Sequence, residues 1–390
     1  MGIECVFMHP DRAIFGQGCI RQIGDFVKEL DGKRAFLMTD KGIAGLDIFR
    51  AVEKALEDKG LSYYIYSEVD ENPTDCQVEK GAEVYSKEKA DVLVAVGGGS
   101  TIDSAKAIGV LISNGGSILE YKGMDVFTRP IPPLVAIPTT AGTGSEVTPY
   151  AVITNTKDNY KMGVCGWKLL PRVALVDPLM MADMPPAITA ATGMDALSHA
   201  VEAVYSKYAM PQTDALAYSA IKMVAENLVR AVTDGSDMEA REAMAMASLM
   251  GGMAMCAGCG AVHALGHQLS SRYGMPHGAA MSVLMPHILN FNVAACPDRI
   301  ANIAVALGVD VDGLGKTEAA RKAAYASRKL GEAVGLPTTL TEYGADPELI
   351  PICAEYAQTA GDMPGNPITP TMEQIKDLYK QAFEGNLGEA

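Results

Sequence analysis

From Lys33 to about Asp177, short β-branched runs alternate with amphipathic segments of roughly ten to fifteen residues. A parallel sheet with crossover helices has this signature, because its strands are apolar on both faces and its helices on one. The strands predicted are Arg34–Thr39, Ser62–Ser67, Asp91–Val96, Leu134–Ile137 and Val173–Val176. Between the first two, Leu46–Lys59 sets Leu46, Phe49, Val52 and Leu56 on one helical face, and Asp75–Lys89 fills the next interval. After Asp183-Met184-Pro185-Pro186 the strand-like runs cease, and long Ala- and Met-rich helical stretches continue to the end. The pattern predicts an α/β domain with a parallel, Rossmann-like sheet over residues 1–185 and an all-helical domain over 186–390.

Composition narrows the function. The 390 residues are 48% hydrophobic and 20% charged, which fits a globular protein and not a disordered one. A net charge of −15 repels phosphate backbones and anionic headgroups, so neither nucleic acid nor a membrane is expected as a partner. The uncharged stretch Ala243–Val262 has the length of a membrane span, yet its Ala, Gly, Met and Ser content predicts a buried helix. Met1–Pro10 shows no basic start followed by an apolar run, and a cytoplasmic location is expected. Cys5, Cys19, Cys76, Cys165, Cys256, Cys259, Cys296 and Cys353 are scattered, as expected of free thiols.

Two strand ends carry candidate ligand turns. Asp91–Val96 runs directly into Gly97-Gly98-Gly99-Ser100 and a helix-compatible segment. Glycines allow a tight turn and close backbone approach, and a helix start offers N–H groups to a diphosphate. The alternative is structural, since Ser100 and Asp103 have the spacing of a helix N-cap box. The turn is not the G-x-G-x-x-G fingerprint and follows a later strand than in the ordinary Rossmann fold. The second turn, Pro138–Glu146, holds Thr139, Thr140, Thr143 and Ser145, hydroxyls suited to ribose and phosphate oxygens or simply to a loop. Asp40, ending the first predicted strand, can accept from a ribose and repel a 2′-phosphate, or it can be a turn residue.

Histidine placement is the strongest chemical signal. Of six histidines, His263, His267, His277 and His287 fall within residues 263–287. Asp195 and His199 are four apart, as are His263 and His267, so each pair projects from one helical face. A turn at Met275-Pro276 can return His277 to the same place. One carboxylate and three neutral imidazoles suit Fe²⁺ or Zn²⁺ with room for a substrate oxygen. His9 and His287 are expected to be structural. Cys256 and Cys259 have C-x-x-C spacing without a second pair, and helix packing is the simpler reading.

Taken together, the GGGSxxD turn, the PTTAGTGSE loop, Thr189–Glu202, His263–Gly278 and Gly365-Asn366-Pro367 resemble the iron-containing alcohol dehydrogenases over essentially the whole chain. The resemblance implies an N-terminal nucleotide domain and a helical metal domain of dehydroquinate synthase-like architecture, with NAD(H) and one divalent ion, Fe²⁺ or else Zn²⁺. It implies that Asp195, His199, His263 and His277 bind the metal, and that His267 is a proton relay. It implies a diphosphate turn at Gly97, Gly98, Gly99 and Ser100, a hydroxyl loop at Thr139, Thr140, Thr143 and Ser145, and cofactor contacts at Asn72, Asp103 and Lys161. Asp40 matches the acidic choice associated with NAD. The activity implied is alcohol dehydrogenase and aldehyde reductase chemistry on a short primary alcohol or aldehyde, in a homodimer or larger assembly. A glycerol dehydrogenase- or dehydroquinate synthase-type enzyme and a non-catalytic assembly subunit are the alternatives. The chain departs from the family around the substrate, at Met255–Gly260, at Gln268, Ser270 and Arg272, and at Ile368. Arg272 there either selects an anionic aldehyde or forms a surface ion pair, and Cys256 and Cys259 are further substrate-side candidates.

Overall fold

The computed structural model describes residues 6–158 and 160–387. The chain forms two compact units, Met8–Asp183 and Met184–Ala390, the second together with the N-terminal stretch that ends at Phe7.

The first unit holds strands β1 Arg12–Phe15, β2 Arg34–Asp40, β3 Ser62–Val69, β4 Val92–Gly97, β5 Gly123–Met124, β6 Leu134–Pro138, β7 Tyr150–Asn155, β8 Tyr160–Cys165 and β9 Val173–Val176. Its helices are α1 Ile23–Glu29, α2 Asp47–Glu57, α3 Asp75–Glu88 and α4 Gly99–Asn114. Six strands make an all-parallel sheet in the order β1-β9-β6-β4-β2-β3. Alternate residues of each strand face opposite sides. Phe36, Met38, Leu93 and Ala95 therefore join one apolar layer, while Ala35, Leu37, Val92, Val94 and Val96 join the other. All six residues of β4 are buried, which is why its sequence is continuously apolar. Helix α3 starts at a capping box, with Thr74 and Gln77 each bonding the other's backbone N–H.

The five predicted strands all form, and two further features were not predicted. Edge strand β1 has two exposed and two half-buried residues, so it carries no apolar run. The antiparallel pair β7 and β8 buries only alternate residues, Ala151 and Ile153 facing Met162 and Val164, beside the short β5.

In the main sheet β2 is flanked by β3 on one side and β4 on the other, so the chain reverses its direction of travel between β2 and β4. Open parallel sheets bind ligands at the carboxyl ends of strands at such a reversal. Asp40 and Gly97 stand at those two ends, and Pro138 pairs with Gly97 from the next strand.

The second unit is helical: α5 Pro186–Tyr205, α6 Pro211–Thr233, α7 Met238–Ala254, α8 Ala261–Tyr273, α9 His277–Asn292, α10 Pro297–Ala306, α11 Lys316–Ala333, α12 Leu340–Tyr343, α13 Ile350–Gln358 and α14 Met372–Glu384. Helix α5 lies at its centre and is covered almost all round. Small residues permit this close approach: a methyl group at Gly278 would lie 1.7 Å from the Ala191 carbonyl oxygen, and one at Gly193 2.2 Å from Leu228.

The expectation of one buried helix over Ala243–Val262 is corrected. The segment is buried, but α7 passes through a 3₁₀ turn at Met255–Ala257 and breaks at Gly258-Cys259-Gly260, and α8 leaves at 112° to it. Gly258 takes φ 74°, a left-handed conformation that ends the turn. Cys256 and Cys259 therefore occupy the turn and the break, not a continuous packed helix. No single helix among the described residues is long and apolar enough to cross a membrane. Seven cysteines are free thiols, and Cys5 lies outside the described residues.

Candidate active site

Helix α5 carries Asp195, His199 and Glu202 on one face, α8 carries His263 and His267, and α9 opens with His277. Gly274, with φ 65°, ends α8, and the Met275-Pro276 segment then turns the chain so that His277 comes back against His263. Three imidazoles converge on one carboxylate oxygen. Asp195 Oδ1 lies 3.9 Å from His199 Nε2, 3.8 Å from His263 Nε2 and 3.5 Å from His277 Nε2. Bonds of about 2.0–2.2 Å to nitrogen and oxygen set tetrahedral ligands about 3.3–3.6 Å apart. The cluster thus has the dimensions of an ion's coordination shell. Asp195 Oδ1 and His263 Nε2 are also buried without a hydrogen-bond partner among the described residues. Such an orphaned buried group costs about 1–3 kcal/mol or more, and a cation between them removes that cost. The donor set therefore fits a borderline divalent ion.

The surroundings orient these donors. Glu202, fully buried, accepts from His263 Nδ1, from the Val262 N–H at 2.8 Å and from the Tyr205 hydroxyl at 3.0 Å. The bond to Nδ1 fixes the tautomer of His263 and leaves Nε2 as the donor lone pair. Ser270 Oγ lies 3.4 Å from His277 Nδ1 and does the same more weakly. Asn366 Oδ1 accepts from the Ala261 N–H at 3.2 Å, so Asn366 and Glu202 together hold the opening turn of α8. Asn366 is itself fixed by reciprocal bonds to Asn292 of 2.9 and 3.0 Å.

His267 stands apart. Its ring stacks on His277 at 5.1 Å, but its Nδ1 faces Asp362 Oδ2 at 3.3 Å. Burial alone would raise the Asp362 carboxyl, yet the hydrogen bond and charge of His267 outweigh it and hold the group below its usual range. Glu202 and Asp362 were missed in the sequence. For Glu202 a signal existed, since Asp195, His199 and Glu202 repeat at helical spacing. Asp362 comes from a distant segment with no spacing relation to His267.

In the first unit the two ligand turns pack as one body. A Cβ at Gly98 would lie 3.3 Å from Thr140, and one at Gly99 would lie 2.7 Å from Thr143. The Thr139 N–H donates to the Gly97 carbonyl at 3.0 Å. Helix α4 starts from Gly98 with no side-chain cap among the described residues, which corrects the alternative of a Ser100 cap. Ser100 instead donates its hydroxyl to the Glu71 carbonyl and holds the exposed Asn72 loop nearby. Thr140 Oγ1 is buried without a partner among the described residues, as a group awaiting a ligand would be. Asp40 Oδ1 caps its own turn, accepting from Gly42 and Ile43 N–H at 2.7 and 3.0 Å.

Asp103 and Ser145 turn inward. The Ser145 hydroxyl donates to Asp103, whose other oxygen accepts from the Val152 N–H at 2.9 Å. Lys106, also missed in the sequence, is fully buried there and donates to the carbonyls of Ser145, Thr148 and Tyr150 at 2.6–2.8 Å. Burial pushes Lys106 down to about 8 against the pull of Asp103 and Glu146, and pushes Glu146 up to about 7. Burial also raises Asp103, against Lys106 and Lys161. Arg272 is neither free in the cluster nor in an ion pair among the described residues. Its guanidinium lies 4.6 Å over the Tyr356 ring.

Two family descriptions match almost the whole chain: iron-containing alcohol dehydrogenase over residues 10–178, and the C-terminal part of the same family over residues 189–383. The 1,3-propanediol dehydrogenase of Citrobacter freundii is 43% identical over 381 residues, 97% of this chain and 98% of that one. The NAD-dependent methanol dehydrogenase of Bacillus methanolicus is 41% identical over 378 residues, 97% and 99% of the two chains. The crystal structure of a 1,3-propanediol oxidoreductase superposes with a TM-score of 0.96 at 42% identity, covering 98% of this chain and 100% of the other. With the converging ligand cluster in one unit and the glycine turn at the strand reversal of the other, these matches place the chain in the iron-containing alcohol dehydrogenase family, as a metal-dependent alcohol dehydrogenase and aldehyde reductase.

Proposed function

We propose that the enzyme interconverts short primary alcohols and aldehydes with NAD(H), at one divalent ion held by Asp195, His199, His263 and His277. Iron is the metal named by the family. The observation that carries this reading is the approach of three imidazole nitrogens to the buried, unpartnered Asp195 Oδ1. Relatives named for 1,3-propanediol and methanol favour a short primary alcohol, and the second is named as NAD-dependent.

When bound, the metal supplies Lewis acidity toward a substrate oxygen and the nicotinamide supplies the hydride-carrying carbon. The protein's own contribution is orientation and proton handling. Glu202 and Ser270 hold His263 and His277 with one nitrogen turned inward. Asp362 stabilises a proton on His267 Nδ1, so that Nε2 takes the alcohol proton in oxidation and returns it in reduction. The packed glycine and threonine turns offer the α4 N-terminus and the Thr140 hydroxyl to the cofactor, and Asp40 keeps one carboxylate oxygen for a ribose. With Arg272 lying over Tyr356, this reading does not call on it to select an anionic substrate.

The test measures metal content and aldehyde reduction together in the wild type and in Asp195→Asn. The variant is expected to bind the ion at least about tenfold more weakly and to lose turnover with it. Wild-type turnover by a metal-depleted Asp195→Asn protein would overturn the reading.

A further inference from the structure

In the first unit, the segment from Glu71 to Asp75 ties the start of α4 to the β7–β8 pair. At one end the Ser100 hydroxyl, in the first turn of α4, donates to the Glu71 carbonyl. In the middle the Pro73 carbonyl accepts from the Thr154 N–H at 2.8 Å, and Thr74 forms a parallel bridge with Thr154. At the other end stands Asp75, the first residue of α3 and only 5% exposed. Its two carboxylate oxygens accept separately from Thr156, one from the N–H and one from the hydroxyl, both at 3.3 Å. A helix start favours a carboxylate, and this one also holds the end of a neighbouring strand. The antiparallel partner of Thr154 is Lys161 on β8. Lys161 lies close enough to Asp103, early in α4, for its charge to oppose the rise that burial imposes on that carboxyl. A cation therefore stands beside the helix whose N-terminus is suited to a diphosphate.

We propose that Asp75 is a positioning residue for the cofactor: by holding Thr156 it fixes the β7–β8 pair so that Lys161 stays beside the start of α4. The inference rests on the NAD(H) reading of the glycine turn. Asp75 itself touches no cofactor. It acts through Lys161, on binding and not on hydride transfer. Without its carboxylate the strand end at Thr156 keeps the backbone bond at Thr154 but loses both side-chain bonds, and the cost of ordering it falls on the binding step.

The probe is NADH, titrated anaerobically into the Fe²⁺-loaded full-length protein and followed by its own fluorescence, with turnover of a short aldehyde at saturating NADH measured beside it. Asp75→Ala is expected to raise the NADH Kd about fivefold or more, the effect of losing about one net hydrogen bond. Its turnover at saturation is expected to stay within about twofold of the wild type. Asp75→Asn keeps an acceptor for the Thr156 N–H and is expected to bind NADH nearly as the wild type does. Lys161→Met is expected to weaken NADH about tenfold, and adding Asp75→Ala to it to cost nothing further, because the one acts through the other. Additive losses in the double variant, wild-type affinity in Asp75→Ala, or a loss in Asp75→Asn as large as in Asp75→Ala would overturn the inference. Wild-type affinity in Lys161→Met would also overturn it and leave the nucleotide reading standing. A wild type that binds no NADH would overturn both. Should Asp75→Ala fail to fold, Thr156→Val removes the hydroxyl bond from the other side and decides through the same cycle with Lys161→Met.

Discussion

His267 differs from the three histidines around Asp195 in what its ring addresses. Its Nδ1 faces Asp362 at 3.3 Å, whereas theirs bring Nε2 to within 3.9 Å of Asp195 Oδ1. His267→Ala should therefore leave metal stoichiometry unchanged while slowing turnover by about 10²-fold or more, as loss of a general acid–base group does. Loss of the metal in that variant would make His267 a ligand instead. His287, expected to be structural, sits 2% exposed in α9 with both ring nitrogens unpartnered among the described residues. Burial, helped by the charge of Arg328, pushes it from 6.5 down to about 4. The folded state then binds fewer protons than the unfolded one between those values. Stability is full above 6.5 and is lost as pH falls toward 4, amounting to about 2 kcal/mol near pH 5. Denaturant unfolding of wild type and His287→Leu at about pH 7.5 and about pH 5 should show the acid loss shrinking by that amount in the variant. An unchanged loss would contradict the assignment.

At the level of elements, the opening turn of α8 joins packing to chemistry. Its N–H groups at Ala261 and Val262 are held by Asn366 and Glu202, and Glu202 also fixes His263. Asn366→Leu should weaken metal binding about 10- to 100-fold, the usual cost of losing an outer-sphere partner, without touching a ligand. Unchanged metal affinity in chelator competition would show that the turn holds itself. Much of the fold was legible at this scale because each buried strand has to be apolar on both faces, as Val92–Val96 is. The break at Gly258–Gly260 was not, because small apolar residues on both sides carry no periodicity to interrupt. The edge strand Arg12–Phe15 was equally silent, being only half covered. Asp195, His199 and the later histidines were readable because two pairs of ligands must share helical faces at a spacing of four. Glu202 shared that spacing but pointed to no chemistry of its own, and Asp362 and Lys106 became visible only through contacts with distant segments.

For the molecule as a whole, the charge pattern and the two-part architecture converge on small-molecule redox chemistry. One unit presents a glycine turn, a threonine loop and Asp40 at the carboxyl ends of adjacent parallel strands. The other gathers Asp195, His199, His263 and His277 from three helices around a shared centre. On the proposed reading each set acts through a group that it would bind, so activity is predicted to depend on both the metal and NADH. The most direct measurement is anaerobic NADH oxidation with a panel of short aldehydes, comparing Fe²⁺-reconstituted protein with the same protein stripped of metal. Turnover that appears with the ion and vanishes on its removal is the predicted result. Equal turnover with and without metal, or none on any aldehyde despite bound Fe²⁺ and NADH, would contradict it.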